Sequence, residues 1–247
     1  MYRRFIGSTV RLLVFKKGEP IAKFLKGGYA TISMGYIGMY EATKLITGES
    51  NTGEKGRVFA MKVMDRLNEA IDTWKKRHNM GFALYGTPAE SLTNRFSSLD
   101  RARFGEIEDI TDKGYYTNSY HVNVREEINV FDKFAFESEF QKKSTGGCIS
   151  YAEIPNMTNN IPAVLTMIKY IYDNISYAEF NTKSDYCHVC GFDGEIKVND
   201  NNDWECPRCH NTDRDKLTVI RRTCGYLGEN FWNEGRTKEI KDRVMHI

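Results

Sequence analysis

Four cysteines in the later part of the sequence have the spacing of a metal site. They form two Cys-x-x-Cys pairs separated by residues 191–205, and they are Cys187, Cys190, Cys206 and Cys209. Two residues between paired cysteines let one tight turn direct both sulfurs at the same ion, and two such turns complete a tetrahedron. Gly191 follows the first pair and Pro207 lies within the second, and both residue types suit tight turns. The spacing therefore predicts a site with four sulfur ligands.

The ligand type indicates which metal the site would hold. Four thiolates in a tetrahedron suit Zn²⁺ best and iron second. With every position filled by protein, the metal would be structural. The alternative is two unligated or redox-active dithiols, but such pairs in a chain without a secretion signal favour metal binding over disulfides. His188 and His210 flank the pairs and could each replace a cysteine, although we interpret both as solvated neighbours.

The string RRTCGYLG at 221–228 is a second candidate for chemistry. Taken alone, Gly225 could serve only a turn with positive φ. Cys224 could be a reactive thiol or a small buried hydrophobe. A third interpretation is that the glycine is required for chemistry rather than for shape.

The turn TPAES at 87–91 allows a structural and a functional interpretation. Thr87 is a good N-cap, Pro88 suits the first helical position, and Glu90 stands where a capping box places it. Alternatively, the free N–H groups of this helix start could bind a phosphate. The local sequence by itself favours the capped helix.

The elements that position these residues alternate between strands and helices, which predicts an α/β domain. A strand and turn are predicted at 9–20. The other predicted strands are 29–35, 81–86, 116–124, 146–154 and 175–180. The predicted helices are 37–48, stopped by Gly48, and 57–77, 127–143 and 161–174, with one more opening at TPAES.

The composition changes near residue 184, where cysteine, aspartate and asparagine replace aliphatic residues. Between the cysteine pairs, GEIKVND and DWEC predict a short hairpin. A strand within 215–228 then enters the glycine-bounded loop, and a charged helix follows at 236–244. We divide the chain into an irregular segment (1–24), an α/β segment (25–183), a metal-binding ribbon (184–214) and a loop with its helix (215–247).

Composition and charge limit the possible partners. The chain has 247 residues, 40% of them hydrophobic, and a formal net charge of +2. This balance supports a packed core and provides no electrostatic reason to expect nucleic acid as a partner. No apolar run is long enough to span a bilayer. The first 15 residues resemble a signal peptide, but Arg11 interrupts the apolar stretch and no cleavage site follows. We therefore expect a cytoplasmic protein without a membrane partner.

The motif R-T-C-G-Y resembles the radical-bearing loop of the glycyl radical enzymes. Because it directly follows the four-cysteine motif, the sequence resembles the anaerobic (class III) ribonucleoside-triphosphate reductases. Four further stretches agree with that family, and they lie at 35–42, 85–105, 115–124 and 146–156. The resemblance extends from about residue 25 to residue 247.

The resemblance implies a fold and a role for Gly225. The fold would be the C-terminal half of a ten-stranded α/β barrel, followed by a small zinc ribbon and a radical loop. Gly225 would store a radical made by a separate radical-SAM activating enzyme, with 226–228 shaping its loop. In the family, this radical passes to a cysteine whose thiyl abstracts the ribose 3′ hydrogen. The zinc ribbon would support the loop.

The resemblance also implies binding partners. The substrate is a ribonucleoside triphosphate, and Thr87, Ala89 and Glu90 would lie near its phosphates. Full-length relatives form homodimers and carry an N-terminal part with the allosteric site and the thiyl cysteine. The first cysteine of this sequence is Cys148, which we interpret as a core residue. We therefore expect a complementary N-terminal chain to be needed for solubility and activity.

Two alternatives belong to other functional classes. One is a zinc-ribbon module that binds nucleic acid or protein through Arg208, Arg214, Arg221 and Arg222, although the near-neutral charge weakens it. The other is a glycyl radical spare part that replaces the damaged loop of an oxygen-cleaved reductase. The long α/β segment argues against this second alternative.

Overall fold

The computed structural model describes residues 22–86, 89, 91–222, 227–229 and 233–247. The predicted strand and turn at 9–20 lie outside this part. The helices are α1 (Ala22–Leu25), α2 (Met39–Thr47), α3 (Glu54–His78), α4 (Ser91–Phe104), α5 (Val130–Gln141), α6 (Ile161–Asn174) and α7 (Glu234–Asp242). The first four strands are β1 (Thr31–Gly35), β2 (Gly81–Tyr85), β3 (Ser150–Ile154) and β4 (Ala178–Thr182). This order confirms a mixed α/β fold.

The four strands form two parallel pairs. Strand β1 pairs with β2, and β3 pairs with β4. A parallel bridge between Gly86 and Cys148 connects the pairs, and the Gly86 N–H donates to the Gly147 carbonyl at 2.8 Å. Helices α2 and α3 separate β1 from β2, and α6 separates β3 from β4, as parallel connections require.

The helices follow the apolar pattern of the sequence. On α3, Ile71 is buried, and Val63, Leu67 and Trp74 pack partly buried against the main core. Helix α2 ends before Gly48, whose φ of 77° is left-handed and whose N–H donates to the Lys44 carbonyl. The predicted stop at this glycine is therefore confirmed, because glycine adopts such a φ without a steric penalty.

Two apolar clusters stabilise the α/β part. The cluster against β2 consists of Met39, Ala60, Met64, Ile71, Leu84, Tyr120, Val122, Phe136 and Phe140. The cluster against β3 consists of Val130, Phe134, Ala152, Ile154, Met167 and Ile175. Helix α5 contributes to both, which places it between the two parallel pairs.

The strand predicted at 116–124 is wrong, because the segment is irregular. Side chains, rather than a neighbouring strand, satisfy much of its backbone. The Thr117 N–H donates to Glu41 at 2.9 Å, and the Val122 N–H donates to Glu137 at 3.2 Å. Ser119 has a left-handed φ of 39°, which breaks an extended conformation.

The region after β4 forms small antiparallel sheets. Its strands are β5 (Asp185–Cys187), β6 (Phe192–Gly194), β7 (Lys197–Val198), β8 (Trp204–Glu205), β9 (Leu217–Thr218), β10 (Ile220–Arg222) and β11 (Leu227–Glu229). Strand β5 lies between β6 and β9. The β7–β8 pair confirms the predicted hairpin, and β10 pairs with β11. Helix α7 begins two residues before its predicted start at Arg236.

Buried charges join the C-terminal helix to the parallel strands. Arg243 donates to Glu239 at 3.0 Å and to Glu153 of β3 at 2.7 Å, and all three side chains are almost fully buried. Past the helix, the His246 N–H donates to the Glu153 carbonyl, and the Glu153 N–H donates to His246 Nδ1.

Among the described residues, no helix is long and apolar enough to cross a membrane.

We expect Gly86→Ala to destabilise the junction between the two parallel pairs. A Cβ at Gly86 would lie 2.5 Å from Tyr120 Cε1 and 2.9 Å from Ser144 Oγ. Tyr120 is fully buried and donates to the Ile149 carbonyl, so its ring cannot move aside. The free energy of unfolding, measured with urea, should fall by about 1–3 kcal/mol. Gly35→Ala is the matched control, because its Cβ would meet only the Tyr85 carbonyl at 3.8 Å.

We also expect His246 to make stability depend on pH. Burial lowers its pKa to about 3, against the opposing influence of Glu153 and Glu137. As pH falls from about 7.5 to 5.5, the unfolded chain takes up a proton that the folded chain does not bind. Over this pH range, the free energy of unfolding of the wild type should therefore fall by about 1.4 kcal/mol more than that of the His246→Gln variant. Urea unfolding at both pH values checks it, and the exposed His78 provides the control His78→Gln. An equal pH dependence in wild type and H246Q would contradict the prediction.

Candidate functional site

The four cysteines predicted as ligands meet at one point. Their Sγ atoms all lie within 4.8 Å of one another. The Sγ atoms of Cys187 and Cys209 are 3.7 Å apart, and those of Cys190 and Cys206 are 3.6 Å apart. Zinc–sulfur bonds of about 2.3 Å in a tetrahedron place sulfurs about 3.8 Å apart, whereas a disulfide holds them at about 2.05 Å. The spacing therefore fits a common metal ion and not two disulfides.

Two matching turns produce this arrangement. The residue after each pair has a left-handed φ, 68° at Gly191 and 58° at His210. Its N–H donates to the carbonyl of the first cysteine of the pair, Cys187 or Cys206, at 2.9 Å in both turns. Each turn thus aims both of its sulfurs to the same side. The antiparallel strands then bring the two turns together.

The two neighbouring histidines make other contacts. The His188 ring lies 2.9 Å from the Thr218 hydroxyl, and the His210 ring lies 2.6 Å from a carboxylate oxygen of Glu205. Within the described part of the chain, the cluster of candidate ligands consists of the four cysteines alone. Both histidines therefore stand beside the site as solvent-exposed neighbours.

Burial and hydrogen bonding shape the chemistry of the thiols. Cys187 and Cys206 are fully buried in an apolar cluster that includes Trp204 and Leu217. Burial raises the pKa of Cys187, but hydrogen bonds from the backbone of Cys190 and Val189 and from the other thiols outweigh it and lower the pKa to about 7. Despite a hydrogen bond from the Asn211 backbone, burial and the other thiols raise the pKa of Cys209 to about 12, and burial raises that of Cys190, so the Cys187 proton is lost before those of Cys190 and Cys209. The arrangement can hold a metal ion such as zinc.

The predicted radical residue lies outside the described residues, together with Cys224 and Tyr226. The strands on either side of Gly225 are described. In the β10–β11 pair, Arg222 lies opposite Leu227, and Arg221 lies opposite Gly228. The two strands therefore hold residues 222 and 227 side by side. Gly225 lies between these two residues in the sequence.

Sequence reasoning missed the role of Arg221, which it grouped with possible nucleic-acid contacts. The side chain is 1% exposed and forms a two-point ion pair with Asp185, which is equally buried. A buried arginine is not available to a polyanion. The sequence did contain a signal for the burial of Arg221. Leu217, Val219 and Arg221 alternate along the chain, and period-two spacing places all three on one face of a strand.

Of the predicted phosphate-binding residues, only Ala89 is described, and Thr87 and Glu90 lie outside the described residues. The Ala89 N–H donates to the Asn118 side chain at 3.4 Å. Helix α4 begins at Ser91, and Ala89 precedes it. The predicted helix start at Pro88 itself lies outside the described residues.

Cys148 lies apart from the four-cysteine cluster. It is partly buried and packs against the main core beside Gly86. Burial raises the pKa of its thiol. Both observations agree with the interpretation of a core cysteine.

Comparison with known proteins gives the same assignment across the chain. The family model for anaerobic ribonucleoside-triphosphate reductase matches residues 7–246. The Escherichia coli reductase of that name is 39% identical over 234 residues, which are 93% of this chain and 33% of the relative. The Haemophilus influenzae reductase is 40% identical over 237 residues, again 33% of the relative.

Solved structures agree with the sequence relatives. One anaerobic ribonucleotide reductase has a TM-score of 0.67 at 26% identity and covers 87% of this chain and 33% of its own. The Thermotoga maritima reductase in complex with dATP and CTP has a TM-score of 0.57 at 26% identity, with coverage of 81% and 31%. The chain thus spans about a third of the length of the relatives it matches. It belongs to the anaerobic ribonucleoside-triphosphate reductase family.

Proposed function

We propose that this chain is the radical-bearing part of an anaerobic ribonucleoside-triphosphate reductase. It acts with a complementary chain to convert ribonucleoside triphosphates to deoxyribonucleotides. The observation that carries the proposal is the R-T-C-G-Y motif directly after a four-sulfur site, in a chain that matches the family over 7–246. Residues 25–183 form part of the α/β barrel, 184–214 the zinc ribbon and 215–247 the radical loop with its helix. Strand β9, at the start of the last segment, pairs with β5 of the ribbon.

Gly225 stores the radical, and glycine suits this role for an electronic reason. Loss of a hydrogen atom from its Cα leaves an unpaired electron between an amide nitrogen and a carbonyl. The electron delocalises over both only if the Cα becomes planar, and a side chain would crowd that arrangement. A radical-SAM activating enzyme removes the hydrogen atom. The radical of Gly225 then takes a hydrogen atom from a cysteine thiol of the complementary chain.

Zinc is the ion best suited to four thiolates, and when bound it would link the two turns. Cys187 and Cys190 of one turn and Cys206 and Cys209 of the other would hold it. Their distances of 3.6 and 3.7 Å support this assignment. This link would stabilise the sheet on which β9 lies, and the chain continues from β9 through β10 into the radical loop.

The turn at 87–91 lies near the substrate phosphates in this proposal. The backbone N–H groups at Thr87 and Glu90 bind the phosphates, and Ala89 lies between them with its own N–H donating to the Asn118 side chain. Support comes from the position of the turn between the end of β2 and the start of α4. In open α/β folds, ligands bind beyond the carboxyl ends of parallel strands.

Exposed apolar helices support the need for a complementary chain. Helix α6 packs Met167 and Ile171 against the core of β3. Its outer face carries a second apolar row at i, i+4, i+7 and i+11, and these exposed residues are Ile161, Leu165, Ile168 and Tyr172. A helix that is apolar on two faces is typical of a buried position. The whole enzyme would be a homodimer of such assemblies.

We expect the chain to bind about one zinc ion, because the four thiolates complete a tetrahedral shell. Metal analysis of anaerobically purified protein checks this, and cobalt substitution should produce the absorption bands of a four-thiolate site. Cys206→Ser should lose the metal. Cys148→Ser is the control and should retain it, because Cys148 lies outside the cluster. A chain that binds no zinc, or a C206S variant with full zinc content, would contradict the proposal.

We expect a radical-SAM activase to produce a doublet in the EPR spectrum of the wild-type chain. Gly225→Ala should abolish the doublet, whereas Cys224→Ser should retain it. Brief exposure to air should then cut the backbone at Gly225 and release 226–247. Ribonucleotide reduction should appear only after addition of the complementary chain. The proposal fails if a competent activase yields no doublet, or if the purified chain reduces ribonucleotides alone.

A further inference from the structure

The segment before the predicted radical loop has an unusual inward-facing residue. Leu217, Val219 and Arg221 alternate along the chain and are all buried, while Ile220 between them is exposed. Leu217 and Val219 belong to the apolar cluster that also contains two of the cysteine ligands. The third inward position would ordinarily hold another apolar side chain. Instead, it holds the largest charged side chain in proteins at 1% exposure.

The guanidinium of Arg221 is fixed from several sides. Both of its terminal nitrogens donate to the two carboxylate oxygens of Asp185, with Nη2 to Oδ2 at 2.6 Å. Nη2 also lies 3.4 Å from the Ile196 carbonyl, and the Ile196 N–H donates to Asp185 at 2.8 Å. Its carbon lies 5.6 Å from the centre of the Trp204 ring. These contacts allow one orientation of the side chain.

Stability alone does not explain this ion pair. Removing two charges from water is costly, and apolar residues of similar volume are often equally stable in the same place. What a two-point pair supplies is direction, because the planar fork of arginine matches a carboxylate in one geometry. Asp185 lies on β5, two residues before the ligand Cys187. Arg221 lies on β10, opposite Gly228 of β11. The pair thus connects the metal site to both strands that flank the loop.

We propose that Arg221 and Asp185 form a positioning pair, which sets the location of the radical loop relative to the metal site. The inference rests on the proposed role of Gly225 as the radical residue. The pair contacts no reacting atom. It acts by holding β10, and through the backbone pairing also β11, in one register against the ribbon.

Two variants test the pair at different severity. Arg221→Lys keeps the charge but replaces the fork with a single ammonium. The double variant Arg221→Met with Asp185→Leu removes both charges together and leaves neither one buried alone. The matched control is Arg214→Lys, because Arg214 forms a mostly exposed ion pair with Asp203 in the same ribbon at 3.6 Å. Each full chain is compared for zinc content, for hydrogen exchange by peptide and for glycyl radical content by EPR.

We expect both test variants to retain zinc and to exchange normally around the two cysteine pairs. Backbone exchange within 219–229 should rise about tenfold, and the radical content should fall by a similar factor, because the two-point contact is lost. The control should match the wild type. Unchanged exchange within 219–229 in both variants would overturn the proposal, as would equal loss of protection and zinc across the whole ribbon. If the wild type itself forms no radical, the proposed function fails, while hydrogen exchange still decides the positioning role.

Discussion

The convergence of four thiols on one point is the constraint on which the C-terminal region depends. The sheets around it are short, with strands of two or three residues. Such strands cannot stabilise themselves by backbone pairing alone. The sulfurs are embedded in a small core with Ile196, Trp204 and Leu217, to which Ile240 of helix α7 also belongs. A metal ion at the centre would therefore stabilise the two cysteine turns, the small sheets and helix α7 together.

Charges extend this organisation to the parallel strands. Glu153 on β3 accepts from Arg243, and its second oxygen lies 3.2 Å from Lys183, the last residue before the ribbon. Helix α7 also approaches α4 so closely that a Cβ at Gly235 would lie 2.4 Å from Asn94. Buried charges of this kind are costly to separate, because each partner left alone would lack solvation. Residues 233–247 thus hold the ribbon against the α/β part.

The outer helices of the chain expose apolar rows. The chain represents about a third of its relatives, and its outer helices carry apolar rows on α4 and α6. In the proposed barrel, such rows would contact further layers of the enzyme. The proposed function, in which a complementary chain supplies the reacting cysteine, fits this surface. In that proposal, the chemistry would depend on how accurately the loop is presented to the second chain.

Local sequence determined much of the secondary structure and the cysteine turns of this protein, and tertiary packing determined the rest. The cysteine spacing, the stop at Gly48, helix α6 and the β7–β8 hairpin could all be predicted, because each depends on neighbouring residues and backbone preferences. The irregular segment at 116–124 could not, because carboxylates of Glu41 and Glu137 from distant helices satisfy its backbone. The partner of Arg221 was equally hidden. Asp185 lies 36 residues away in the sequence. Only the packing of β5 beside the strands that flank the loop brings the two charges into contact.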